Sequence, residues 1–297
     1  MQTITLSSSH PLLQAKPLLS NIPLPPHPEV LRKVLDEYRR PAPDLMRIAN
    51  LVGADVCLSG AVIQAVNSPL YGLRSAVTSI LQAINLLGLR RLLLLVRAVA
   101  LRNGFGQGGE CERFWHSANE MAQTSLLLAE RLGYEEKEEL YTLTLSHDCG
   151  LLLMMQHFPD YKTRLIQSNA APTLPLTAWE DEYYGLNHTD LGFLICTSWF
   201  LPPALCHVVA FHHKPFSETR HGRRVVEKVV TLLALLKMVR HVYARHRHLT
   251  RGDLADDPEW AQDSAGVLLH LGLSEPDFLN LRDELLDHLE HAVHDEG

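Results

Sequence analysis

The sequence predicts an all-α protein. Two patterns carry that expectation. From Glu29 onward, apolar residues recur at the three-and-four spacing of an amphipathic helix, and no convincing run of apolar–polar alternation marks a strand. A third observation concerns the core. With 297 residues, 46% of them apolar and 21% charged, the chain can bury a large interior and is not a disordered or collagen-like polymer.

The elements follow in order. Residues 1–28 form a polar, then proline-rich lead. Its prolines lack N–H donors and push their predecessors toward extended conformations, so the segment before Glu29 is expected to lie as a strap on the surface. Val30, Leu31, Val34, Leu35 and Tyr38 then share one helical face, and Pro41 and Pro43 close that helix. Asp44 is placed to cap a second helix that turns Leu45, Ile48, Ala49 and Val52 inward, and Asp55 a third that carries Val56, Ile63 and Val66. Asn67-Ser-Pro-Leu-Tyr-Gly72 has the residues of a turn. Thr78 or Ser79 opens a fourth helix, with Ile80, Ala83, Ile84 and Leu87 apolar. Gly88 ends it, and Leu89 to Leu101 reads as a largely buried helix.

The apolar period stops at the glycine-rich stretch 103–110 and resumes near residue 112, and a weaker break spans Arg251 to Pro258. The expected organisation is therefore a lead (1–21), an N-terminal helical bundle (22–105) packed on a second helical bundle (111–248), and a helical C-terminal extension (249–297).

Composition narrows the function. There are 27 Lys and Arg against 34 Asp and Glu, so a global basic coat for nucleic acid or anionic lipid is excluded. The helices over 44–66 carry one basic residue, Arg47, which argues against a DNA-reading helix-turn-helix. Arg220 to Arg251 holds nine Lys or Arg against one acid, Glu227. It reads first as a wet helix face and second as an anion or nucleotide site. The five cysteines, Cys57, Cys111, Cys149, Cys196 and Cys206, are scattered with no CxxC pair, and each reads as a small core residue. Trp115, Trp179 and Trp199 read as core or subdomain-interface residues. The N-terminus lacks the basic and apolar regions of a signal peptide, and Leu92 to Val96 is too short to span a bilayer; the expectation is a cytoplasmic protein with no membrane partner.

The chain has 17 histidines, a number that itself hints at chemistry. His147 and Asp148 sit together inside an otherwise apolar segment, Leu143-Thr-Leu-Ser-His-Asp-Cys-Gly150. A buried carboxylate needs partners. Two solutions fit: a divalent cation that takes imidazole nitrogen and carboxylate oxygen together, or an aspartate that caps a helix beside a histidine bonded to backbone. Glu112 and His116 lie four residues apart on one helical face. His188, His212 and His213 sit on or at the ends of further helices, and imidazoles converging from several helices are how a bundle builds a metal site in its core.

These residues resemble the HDOD family, the HD-related output domains of bacterial signalling proteins. The marks are Leu24-Pro-Pro-His-Pro28, Asn67 to Gly72, Val77 to Gly88, His147-Asp-Cys-Gly150, His188 with Gly192, Trp199, Leu201-Pro202 and His212-His213, over about residues 22–245. The resemblance implies an all-α fold whose second half is similar to the HD-type metal phosphohydrolases, HD-GYP enzymes included. It also implies a shell of Glu112, His116, His147, Asp148, His188, His212 and His213 for one or two divalent ions such as Fe or Mn, with Asp148 placed to bridge. Two departures argue against turnover: Leu151 stands where active relatives often carry a phosphate-directed lysine, and Val229 to Leu236 contains no acid where they carry a late aspartate ligand. The resemblance therefore implies a signalling module that works by contact with a partner protein. The alternatives are a metal-dependent phosphohydrolase and a nucleotide sensor without turnover.

Overall fold

The computed structural model describes residues 22–25, 28–67, 71, 73–105, 109–170, 174–220, 226–251 and 257–295. It is all-α: among the described residues there is no strand. Expectations that fall on the first 21 residues, the centre of the glycine-rich stretch (106–108), the basic residues 221–225 and the break at 252–256 lie outside the described residues.

By its internal contacts the chain divides into two units. One comprises residues 1–25 and 146–233, the other 26–145 and 234–297. These cuts do not coincide with the organisation at 22–105, 111–248 and 249–297. The helix expected to open the second bundle shares a unit with the N-terminal helices and with the C-terminal extension.

The larger unit is built from α1 (Glu29–Tyr38), α2 (Leu45–Gly53), α3 (Val56–Val66), α4 (Ile80–Leu87), α5 (Leu89–Gly104), α6 (Gly109–Arg131) and α7 (Lys137–Ser146). The caps read from sequence are made. Asp44 accepts the Arg47 N–H at 3.0 Å, Asp55 the Leu58 N–H at 2.9 Å and Ser79 the Gln82 N–H at 3.2 Å. Gly88, at φ 80°, ends α4 and turns the chain into α5, a backbone angle that costs glycine little. The Asn67 side-chain amide bonds both the N–H and the C=O of Val77 at 2.7 Å, which ties the end of α3 to the residues just before α4. Trp115 is buried, and its ring lies 5.8 Å from that of Phe105, which ties α6 to the end of α5.

One inward expectation fails: Leu45 is 39% exposed, and Val56, carried by the next helix, is 80% exposed. Each is the first residue after its cap, where the helix has not yet turned its apolar stripe onto the neighbouring helices. Cys57, next to Val56, is also exposed, whereas Cys149, Cys196 and Cys206 are core residues as expected. No single described helix is long and apolar enough to cross a membrane.

Helix α14 (Glu227–Arg251) runs across the boundary at 233/234. Three of its basic groups are engaged. Lys237 pairs with Asp263 of α15 (Pro258–Leu271) at 2.7 Å, Arg240 with Glu259 at 3.0 Å, and Arg247 reaches Ser117 at 3.3 Å. These three residues serve packing within the larger unit. Helix α16 (Glu275–Asp295) packs on α6, with Arg131 Nε bonded to Glu284 at 2.6 Å.

The smaller unit holds α8 (Cys149–His157), α9 (Tyr161–Ala170), α10 (Leu176–Tyr184), α11 (His188–Ser198), α12 (Pro203–Phe211) and α13 (Phe216–Arg220). Asn187 caps α11 by accepting the Asp190 N–H at 3.1 Å. The end of α11 is closed by a Leu201 N–H to Cys196 C=O bond at 3.0 Å, which places Phe200 at φ 60°, a left-handed position unusual for a residue with a side chain. Trp199 is fully buried, and its indole N–H donates to the Pro25 carbonyl at 3.1 Å. The strap expected from the proline-rich lead is therefore fastened here, with Ile22 buried.

Candidate metal centre

The site arises where α8 and α11 meet by their first turns. A Cβ on Gly150 would fall well inside van der Waals contact of the His188 carbonyl oxygen, and one on Gly192 would meet a Val209 methyl at 2.9 Å. Only glycine at 150 lets the α8 and α11 backbones cross this closely, while Gly192 leaves room for Val209 of α12. The crossing brings Asp148, just before α8, to His188, the first residue of α11. Helix α12 lies against α11 and ends at His212 and His213.

Asp148 stands at the N-cap position of α8, yet its side chain makes no capping bond. Its carboxylate turns to the histidines instead, so the helix-capping arrangement is not the one formed. Oδ1 lies 3.0 Å from His212 Nε2 and 3.6 Å from His188 Nε2, and Oδ2 lies 3.2 Å from His147 Nε2. One ligand atom each from Asp148, His188, His212 and His213 falls within 4.8 Å of the others. The rings crowd: His212 and His213 are 4.3 Å apart by centroid, His188 and His213 4.9 Å, His147 and His212 5.3 Å. His147, His188 and His212 are buried, whereas Asp148 and His213 keep partial exposure. Burial raises the Asp148 pKa, but the imidazoles of His147 and His212 outweigh it and hold the carboxyl well below its ordinary range.

Two acceptors behind the group decide how its imidazoles present themselves. Glu180, on α10 and fully buried, takes the His188 backbone N–H at 3.0 Å and His188 Nδ1 at 2.7 Å on the same oxygen. Its other oxygen accepts the hydroxyl of Tyr161. The Val209 carbonyl lies 2.8 Å from His212 Nδ1. A carboxylate and a carbonyl only accept, so the Nδ1 atoms of His188 and His212 must carry the proton, and both rings turn Nε2 toward Asp148.

The structure gathers four of the seven residues the family resemblance implied, and sets His147 on the second oxygen of Asp148. It does not bring His116 or Glu112 into the group. Both lie on α6 in the other unit, both are exposed, and His116 pairs with Glu120 at 3.6 Å, one helical turn on. Their shared helical face is a solvated one. Asp190, the acid next to His188 in sequence, also stays outside the four-residue group; burial and the neighbouring Asp181 push its pKa up to about 6. Sequence reasoning missed Glu180. It is the first of three consecutive acids, and no local signal says which of them faces in.

These features define an all-α domain with a histidine-rich pocket built around an HD dipeptide. The HDOD domain profile matches residues 24–215, and the chain belongs to the HDOD family. Solved structures share its fold. A candidate phosphohydrolase from Shewanella amazonensis SB2B is 24% identical, with 93% of each chain covered and a TM-score of 0.65. An HDOD domain protein of unknown function from Geobacter sulfurreducens is 21% identical over 96% of this chain and 95% of that one, also at 0.65. A candidate signal transduction protein from Marinobacter aquaeolei VT8 is 20% identical at 0.62, covering 92% of this chain and 59% of its own. No curated protein sequence matches.

Proposed function

We propose that this chain is a regulatory HDOD module that works by contact with a signalling partner. Asp148, His188, His212 and His213 would hold a divalent transition ion as a structural element, without phosphate-ester hydrolysis. One observation carries the metal reading. With Nδ1 engaged by Glu180 and by the Val209 carbonyl, His188 and His212 both turn Nε2 toward the one Asp148 carboxylate, at 3.6 and 3.0 Å, where each Nε2 needs a proton or a shared cation. Protons on all the rings would pack imidazolium ions against one another, with ring centroids 4.3–5.3 Å apart. One divalent ion meets that need for the whole group, and the nitrogen-rich donor set suits a first-row transition ion such as Fe or Mn.

The non-hydrolytic reading rests on what surrounds the group. Leu151 follows the His147-Asp-Cys-Gly turn. The stretch 229–236 offers no acid and is almost wholly buried. Glu180, the buried acid nearest the group, is committed to His188. The partial exposure of Asp148 and His213 favours a second reading, in which a phosphate ester reaches the ion from solvent and is cleaved, or a nucleotide binds there without turnover.

Metal analysis of the purified protein before and after a chelator, with a nucleotide and cyclic-dinucleotide hydrolysis screen on the same sample, separates these. Stoichiometric metal without product is expected. Metal with turnover installs the phosphohydrolase instead. A melting shift with a nucleotide and no product favours the sensor. No metal overturns the metal reading.

A further inference from the structure

Glu180 is fully buried, and both its oxygens accept hydrogen bonds. One oxygen serves His188 twice; the other is held by Tyr161. Tyr161 is itself fully buried at the start of α9, with its N–H on the Phe158 carbonyl at 3.0 Å. Its ring sits between Tyr184, 5.7 Å away, and Trp179, 6.2 Å away. The hydroxyl is thus fixed by packing and is a rigid donor. A carboxylate rotates about its terminal bond over a broad, two-fold profile. The Tyr161 bond removes that freedom, leaving the second oxygen no choice but His188.

We propose that Tyr161 is a positioning residue for the histidine cluster. By locking the Glu180 carboxylate, its hydroxyl sets the tautomer and ring angle of His188 and so tunes the affinity of the site for a divalent ion. The affinity half rests on the metal reading above; the tautomer half does not. Tyr161 acts through Glu180, to which its hydroxyl donates. Partners one bond behind a ligand commonly change metal affinity by about 10–100-fold. Tyr161, one bond further back, is expected near the lower end, at about tenfold.

The test uses full-length protein, wild type and Tyr161→Phe, which keeps the ring in its packing site. Tyr184→Phe removes a hydroxyl from the same aromatic cluster without touching Glu180, and controls for general loosening. First, imidazole ¹⁵N shifts are read on metal-free protein. Wild-type His188 should carry its proton on Nδ1, as should Tyr184→Phe, whereas Tyr161→Phe should show mixed tautomers. Second, Co(II) is titrated by its visible absorption. Tyr161→Phe should bind about tenfold more weakly, and Tyr184→Phe unchanged. A wild-type His188 protonated on Nε2 alone overturns the proposal even where the Phe variant does not fold. Identical tautomers and affinities in wild type and Tyr161→Phe overturn it too. If wild type binds no Co(II), the metal reading falls, and the tautomer comparison alone decides the role of Tyr161.

Discussion

The two units use histidine in opposite ways. In the larger unit each paired imidazole has one carboxylate. His241 Nδ1 donates to Asp257 at 2.8 Å, Asp257 caps α15 through the Trp260 N–H at 2.9 Å, and the His241 ring stacks on Trp260 at 4.7 Å. His116 likewise meets Glu120, on the surface. In the smaller unit four imidazoles gather around the single carboxylate of Asp148, and the acid that could balance one of them, Glu180, stands behind His188 on its far side. One acid per histidine is a satisfied structural pair. Several lone pairs aimed at one carboxylate is an arrangement that a proton or a cation must complete. The ratio of acceptors to donors, rather than the number of histidines, separates scaffold from site.

The sharpest way to break the smaller unit is to add one methyl group. Gly150→Ala would drive a Cβ into the His188 carbonyl, a backbone atom that cannot swing aside. Overpacking of a core typically costs about 1–3 kcal/mol and sometimes more. Here both the α8–α11 crossing and the meeting of Asp148 with His188 must give way, so the upper end or beyond is expected. Thermal melting should fall by many degrees, and any metal-induced rise in melting temperature should vanish. An Ala variant that melts and binds like wild type would show that the crossing is looser than described.

The next contrast tests the ratio argument itself. A ligand that binds only the folded state at a hundred times its Kd adds about 2.7 kcal/mol. Excess Mn(II) should therefore raise the melting temperature of wild type. Asp148→Asn and His212→Gln should lose that rise. His116→Ala and Glu112→Ala, on the exposed face of α6, should keep it in full. If the α6 variants lose it as well, the shell implied by the family resemblance is restored and the present grouping is too small.

The fold was largely legible because helix caps are local. Asp44, Asp55 and Ser79 each needed only their own next turn, and each makes the bond its position promised. Burial of the first helical residues was not legible: Leu45 and Val56 fit the apolar period but precede the point where their helices meet neighbours. The metal candidates divide in the same way. His147, Asp148, His188, His212 and His213 stand out as histidines and an acid in apolar surroundings. Glu112 and His116 satisfied the same helical spacing on a face that turned out wet. Glu180 and the Tyr161 hydroxyl gave no signal, because their value lies in a bond across α9, α10 and α11 that no spacing encodes. Gly150 and Gly192 were visible as letters, but their reasons, a backbone crossing at the first and the Val209 side chain at the second, exist only in three dimensions.

The larger unit offers the smallest and cleanest effect. Asp257 does two jobs, and two variants separate them. Asp257→Ala removes the cap and the His241 partner together, and loss of a capping side chain costs about 0.5–2 kcal/mol. Asp257→Asn keeps an oxygen for the Trp260 N–H and gives up only the charge, which for a partly exposed pair amounts to about 0.2–1 kcal/mol. The pH dependence fixes the sign. Burial works to raise the Asp257 pKa, but the His241 bond and the Trp260 N–H lower it below its ordinary value. A carboxyl depressed in the folded state contributes stability that is present above its unfolded pKa of about 3.9 and is lost as pH falls through the lower folded value. The Asn variant should therefore melt slightly below wild type at neutral pH, and the gap should close only below about pH 4. A gap that persists unchanged below pH 4 would show that the Asn variant loses something other than the Asp257 charge.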